Sequence, residues 1–184
     1  MKVLDAGTES LSNADVLNWI QDKHKQIADE DRKDKEAGKK PSRRPDNFIS
    51  ALTKHERELK STSYPYTRNV KVYSNHDVLS EFERKLMETV VQPFTEHRVN
   101  EMREQGMSEE NIEKEVAKEQ EAKLLTETEQ LMVYNHAPKC PEMLQPMVEN
   151  IDDRLAPEEQ EAVVQAVMEV YRKQETGSTT TAAG

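Results

Sequence analysis

The sequence predicts a mostly α-helical protein, a short N-terminal strand and helix followed by a helical bundle, with solvated linkers between the ordered pieces. Three observations lead there. Hydrophobic residues make up 34% of the 184, no more than the charged ones, and mean hydropathy is −0.95, so apolar groups cannot be buried along the whole chain. Five glycines and a 5% aromatic content give little support to a β-sandwich or barrel. Where apolar residues do occur, they recur at helical spacing behind capping residues.

Met1 to Ala6 reads as a short extended piece closed by Gly7. A helix begins near Ser12, whose hydroxyl can accept from free first-turn amides, with Asp15 adding negative charge there and Leu11 and Val16 at the spacing of a hydrophobic staple. Val16, Leu17, Ile20 and Ile27 continue its apolar face, with Trp19 beside it. From Ala28 to Asp46 the only apolar residue type is alanine; mixed charge could carry a frayed helix up to Ala37, where Gly38, Pro41 and Pro45 end it, and the segment is expected to be a mobile linker. Within it, Lys39-Lys40-Pro41-Ser42-Arg43-Arg44 has the composition of a nuclear import signal or phosphate contact, and equally of a solvated charge run.

Asn47 to Lys60 has Phe48, Leu52, His55 and Leu59 on one stripe, and Ser61 to Pro65 breaks it. Ser74 as cap and Asp77 in the first turn introduce a helix carrying Val78, Leu79, Phe82, Leu86, Met87 and Val90, expected to stop before Pro93. Thr95 to Lys123 is dominated by Glu, Lys, Arg and Gln, and reads as a surface insertion of two helical pieces divided at Gln105-Gly106. Thr126 and Glu129 form a capping box for a helix that Asn135-His136-Ala137-Pro138 stops. Pro141 is expected to open a helix with Leu144, Met147, Val148, Ile151 and Leu155 on one side. Pro157 opens the last helix, burying Val163, Val164, Val167, Met168 and Tyr171, and the tail from Gln174 should be disordered.

A net charge of −10 argues against general binding to duplex DNA or to membrane surfaces, which need a basic face. The single cysteine, Cys140, excludes an internal disulfide and a Cys-rich zinc site and fits a reducing compartment, while no apolar run reaches the length of a membrane span; a soluble intracellular protein is expected. Chemistry is not evident. His24, His55, His76, His97 and His136 are scattered without ligand spacing, and His55-Glu56 lacks a second histidine four residues on. Cys140, at a helix start where a thiol could act as nucleophile, has no Gly-rich phosphate loop and reads as a small packed residue. Neither a catalytic residue, a cofactor nor a metal site is expected.

Two sets of residues carry a resemblance. Lys2-Val3-Leu4-Asp5-Ala6 followed by Leu11-Ser12-Asn13-Ala14-Asp15-Val16, and then Leu124 to Glu129, Asn135-His136-Ala137-Pro138, Met147-Val148-Glu149, Arg154-Leu155 and Glu158-Glu159-Gln160, follow one another in an order that resembles the small stalk subunits of RNA polymerase III. This is the calcitonin-gene-related-peptide receptor component family, counterpart of the archaeal RNA polymerase F subunit. The resemblance covers Met1 to about Ala28 and Phe48 to about Tyr171, with Gln92 to Lys123 longer than the family norm. The family tetrapeptide usually reads Asn-His-Arg-Pro, so Ala137 is a departure. A start directly at Met1, without an acidic leader, favours the polymerase III form over that of polymerase II.

The resemblance implies a nuclear, non-catalytic subunit of DNA-directed RNA polymerase III. It implies a heterodimer with a larger stalk subunit containing an oligonucleotide-binding fold, attachment to the polymerase III core, and contact with the initiation factor TFIIIB during initiation on transfer-RNA and 5S-RNA genes. Residues 1–61 would be a partner-docking arm of strand, helix, charged linker 28–46 and second helix. Residues 62–173 would be a bundle similar to helicase-and-RNase-D C-terminal (HRDC) domains with a charged insertion at about 95–123, and 174–184 a tail. Val3, Leu4, Leu11, Val16, Leu17, Ile20, Asn135, His136 and Pro138 are the expected partner-binding residues. The alternative is an independent helical adaptor or a nucleic-acid-associated HRDC-type module. Against direct nucleic-acid binding, Leu124 to Tyr171 contains only Lys139 and Arg154 as basic residues.

Overall fold

The computed structural model describes residues 10–75 and 77–173; these are mostly helical and contain no strand. The strand expected over Met1 to Ala6 and the tail from Gln174 lie outside the described residues. The chain divides into two compact units, Met1–Arg68 and Asn69–Gly184. The break falls seven residues after the expected boundary at 61, because the short helix that follows Ser61 belongs to the first unit.

In the first unit, α1 (Asn13–Glu36) and α2 (Asp46–Leu59) form an antiparallel pair, followed by the single turn α3 (Pro65–Arg68). The capping box at Ser12 explains the start of α1: the Asp15 amide donates to the Ser12 hydroxyl at 3.1 Å and the Asp15 carboxylate accepts from the Ser12 amide at 3.0 Å. The helix runs on through the charged residues to Glu36, as their mixed charge allows, and the linker begins only after it. Helical ion pairing and Arg44, which returns to Glu30 and Asp31 at 3.0 and 2.7 Å, offset the missing apolar burial. Gly38, at φ +68°, then makes the stop: its amide donates to the Lys35 carbonyl and that of Lys39 to the Asp34 carbonyl. Apolar burial is thin here, resting on Ile20, Leu52 and Tyr66, with the Tyr66 hydroxyl donating to the Leu59 carbonyl at 2.7 Å.

The second unit holds α4 (Val70–Tyr73), α5 (Val78–Leu86), a π turn (Met87–Val91), α6 (Gln92–Glu104), α7 (Glu109–Lys123), α8 (Glu127–His136), a 3₁₀ turn (Pro141–Met143), α9 (Ile151–Arg154) and α10 (Pro157–Tyr171). Its centre is α10 packed on α5 and the π turn. Phe82, Val133, Leu144, Leu155, Val163, Val167 and Tyr171 are almost completely buried there, and the rings of Tyr73, Phe82, Tyr134 and Tyr171 lie together with centroids 4.8–5.8 Å apart.

Three expectations for this unit need correction. Ser74 closes α4 and does not cap α5; the residue before α5 is Asp77. Pro93 does not end the helix, which continues from α5 into α6. The Gln92 amide reaches back five residues to the Met87 carbonyl, and this π turn redirects the backbone just where the proline would otherwise meet the carbonyl four residues earlier. Residues 141–155 are not one helix, because Asn150 takes a left-handed conformation (φ 50°) that separates the 3₁₀ turn from α9; Leu144, Val148, Ile151 and Leu155 are buried all the same. The charged segment 95–123 splits near Gly106 as expected. Yet α6 and α7 form an antiparallel hairpin with a small core of its own, Met102, Ile112 and Val116 under Val99 and Met107, tied by Arg98 to Glu119 at 2.8 and 3.1 Å.

Candidate partner-docking surface

The two expected sets of binding residues fall in different units and in different environments. On α1, the stripe through Ile20 and His24 faces α2, since the His24 Nε2 lies 3.5 Å from the Glu56 carboxylate of that helix. Ile20 is buried on this stripe, so it belongs to the core of the hairpin. Val16 and Leu17, one turn earlier, are half-buried. Leu11 is 63% exposed and Trp19 54% exposed. Val3 and Leu4 lie outside the described residues.

Trp19 is the residue that the expected set left out. Helical spacing explains why: it sits one position from Ile20, about 100° round the helix, and so falls off the stripe through Ile20 and His24. The available signal was its chemistry. A large aromatic on an open helix face is the kind of residue that anchors a protein interface, because burying it removes much apolar area from water at small entropic cost.

The Asn135-His136-Ala137-Pro138 segment is built into the fold. Thr126 and Glu129 start α8 with reciprocal bonds of 3.3 and 2.8 Å, and the helix ends at His136 because Ala137 turns left-handed at φ 41°. Asn135, Ala137 and Pro138 are buried and His136 is half-buried. The Ala137 carbonyl accepts from the buried Arg172 Nε at 2.9 Å. The segment's observed work is to end α8 and fasten it to the end of α10.

Arg154 forms the other polar centre of this unit. Its guanidinium donates to the carbonyls of Ala122, Leu124 and Glu149 at 2.9, 2.7 and 3.0 Å and to both oxygens of Glu129, joining the end of α7, the start of α8 and α9. Burial works to raise the Glu129 carboxyl, but Arg154 together with the Thr126 and Glu149 amides outweighs it and holds the group at about 2. Lying beside this network is an apolar cleft of about 310 Å³ lined by Leu86, Met87, Val90, Leu124, Leu125 and Val163.

Among the described residues no three of His, Cys, Asp or Glu converge to hold a metal ion, and Cys140 is half-buried. No described helix is long and apolar enough to cross a membrane. No protein-family model, curated protein or solved structure matches the chain.

Proposed function

We propose that this chain is a non-catalytic docking subunit whose first unit engages a larger protein through the open side of α1. The observation that carries the reading is the exposure of Leu11 and Trp19 beside the half-buried Val16 and Leu17, on a hairpin with a small apolar core among the described residues. A pair of helices this thinly packed is marginal in water, and covering those side chains with a partner supplies the missing burial.

The most specific form of the proposal follows the family resemblance. The chain would be the small stalk subunit of nuclear RNA polymerase III, paired with the larger stalk subunit, and would act with the polymerase core and TFIIIB in transcription initiation. The second unit would be the HRDC-like body of that subunit. Supporting it are the paired sequence motifs at Leu11–Val16 and Asn135–Pro138 and the helical second unit. Co-expression with the larger stalk subunit tests it. A stoichiometric complex through size exclusion is the expected result, and two separate peaks at micromolar concentration would refute the polymerase reading.

A further inference from the structure

The loop between α1 and α2 carries the basic run Lys39-Lys40-Pro41-Ser42-Arg43-Arg44, a motif that the docking reading leaves unused. Ser42 is exposed, with exposed Lys39, Lys40, Pro41 and Arg43 around it, and the loop has no helix from Gly38 to Pro45. Pro41 and Pro45 keep it from joining either neighbouring helix. Among all serines and threonines of the chain, Ser42 alone has basic residues both two and three positions before it. An exposed serine outside any helix, with this charge pattern, complements the acidic substrate cleft of a basophilic protein kinase.

The same loop holds an electrostatic latch. Arg44 donates to Asp31 at 2.7 Å and to Glu30 at 3.0 Å, and its Nη1 also lies 3.5 Å from the Ser42 carbonyl. A phosphate on Ser42 would therefore arise beside this guanidinium. It carries a charge of about −1.5 to −2 and presents three oxygens in geometry suited to a guanidinium fork. It also repels Glu30 and Asp31, which now hold that fork.

We propose that Ser42 is a phosphorylation site for a basophilic serine/threonine kinase, and that the phosphoserine draws Arg44 away from Glu30 and Asp31. In the transfer, the Ser42 hydroxyl oxygen forms a bond to the γ-phosphorus of ATP and the bond to the β-phosphate oxygen breaks. ADP leaves, and the hydroxyl proton passes to the kinase's carboxylate base. Loss of the latch releases the C-terminal turn of α1, whose Gly38 and Lys39 amides are bonded to the Lys35 and Asp34 carbonyls at 3.1 and 2.8 Å. The inference does not depend on the identity of the docking partner.

The test uses the full chain with ATP and the catalytic subunit of cyclic-AMP-dependent protein kinase, followed by peptide mass spectrometry and amide hydrogen exchange. Expected is one phosphate at Ser42, absent from Ser42→Ala. Incorporation should slow about tenfold or more in Lys39→Gln and again in Lys40→Gln, the size of one lost charge-assisted contact each. Exchange at Gly38 and Lys39 should be faster in the phosphorylated chain. Arg44→Gln should show the same fast exchange before phosphorylation and no further change after it. No incorporation, or incorporation at other residues only, overturns the site; phosphate on Ser42 with unchanged exchange overturns the latch.

Discussion

The two units use the same local devices and differ in what those devices enclose. Both open a helix with a reciprocal capping box, Ser12 with Asp15 in the first and Thr126 with Glu129 in the second. In the second unit these helices close on a continuous core running from Val78 to Tyr171. Among the described residues the apolar side chains that the first buries are only Ile20, Leu52 and Tyr66 beside Pro65, and it leaves Leu11 and Trp19 open, whereas the second leaves Val70 and Leu124 open around a far larger core. Caps set where a helix begins and contribute about 1 kcal/mol each, whereas burial of a Leu or Phe side chain contributes about 1.5–3 kcal/mol, so the number of buried side chains decides which unit stands alone.

Separating the units should give the largest contrast. Residues 69–173 alone should melt in one cooperative transition followed by circular dichroism, whereas residues 10–68 alone should lose helicity gradually without a transition. A sharp melt of the 10–68 fragment would remove the difference between the units and with it the need for a partner.

Acid should then distinguish the ion pairs of the two units. Glu129 is buried and its carboxyl is held at about 2, below its ordinary value of 4.5. A depressed acid stabilises the fold above the ordinary value and loses that contribution as pH falls through the folded value. The second unit should therefore lose about 3 kcal/mol between roughly pH 5 and pH 2, as the shift converts by linkage. Glu129→Gln should cost about 3–5 kcal/mol at neutral pH, since it leaves Arg154 without its charge partner, and should flatten the acid limb. In the first unit Lys60 lowers the Glu56 carboxyl, but the lysine is half-exposed, and Glu56→Gln should change stability by no more than about 1 kcal/mol. Chemical denaturation across pH measures all three. An acid limb unchanged in Glu129→Gln would contradict the assignment.

The smallest expected effect is that of removing one hydroxyl from the aromatic centre. The Tyr171 hydroxyl is buried without a hydrogen-bond partner among the described residues, and burial pushes its ionisation upward. Tyr171→Phe should therefore be neutral or stabilising by about 1 kcal/mol, while Tyr171→Ala should cost about 3–5 kcal/mol through the cavity it leaves. Thermal melts compare them, and a loss of more than about 1 kcal/mol in Tyr171→Phe would show that the hydroxyl has a bonding role.

Local chemistry was legible in the sequence, and non-local chemistry was not. The two capping boxes, the break at Gly106 and the proline start of α10 each depend on residues within a few positions, so spacing alone identifies them. Mixed charge shows that a helix can run on to Ala37 but not what holds it there, because Arg44 pairs with Glu30 and Asp31 across gaps of 14 and 13 residues. Pro93 reads as a stop in any pattern of period 3.6, and only a π turn changes that. For the expected docking residues, helical periodicity cannot tell a face turned to a neighbouring helix from a face turned to a partner; Ile20 proved to be buried and Trp19 open. Arg154 looks like an ordinary surface residue until its five hydrogen bonds, four of them to residues 25 or more positions away, come together.

The open side of α1 is the central claim, and under the proposed polymerase reading affinity for the larger stalk subunit measures it most directly. Leu11→Asp with Trp19→Asp removes two exposed apolar side chains without entering the core, unlike any change at Ile20. Full burial of each is worth roughly 1.5–3 kcal/mol, so the double variant should bind at least about a hundredfold more weakly by titration calorimetry. The melt of the second unit should be unchanged. Wild-type affinity in the double variant would contradict the account.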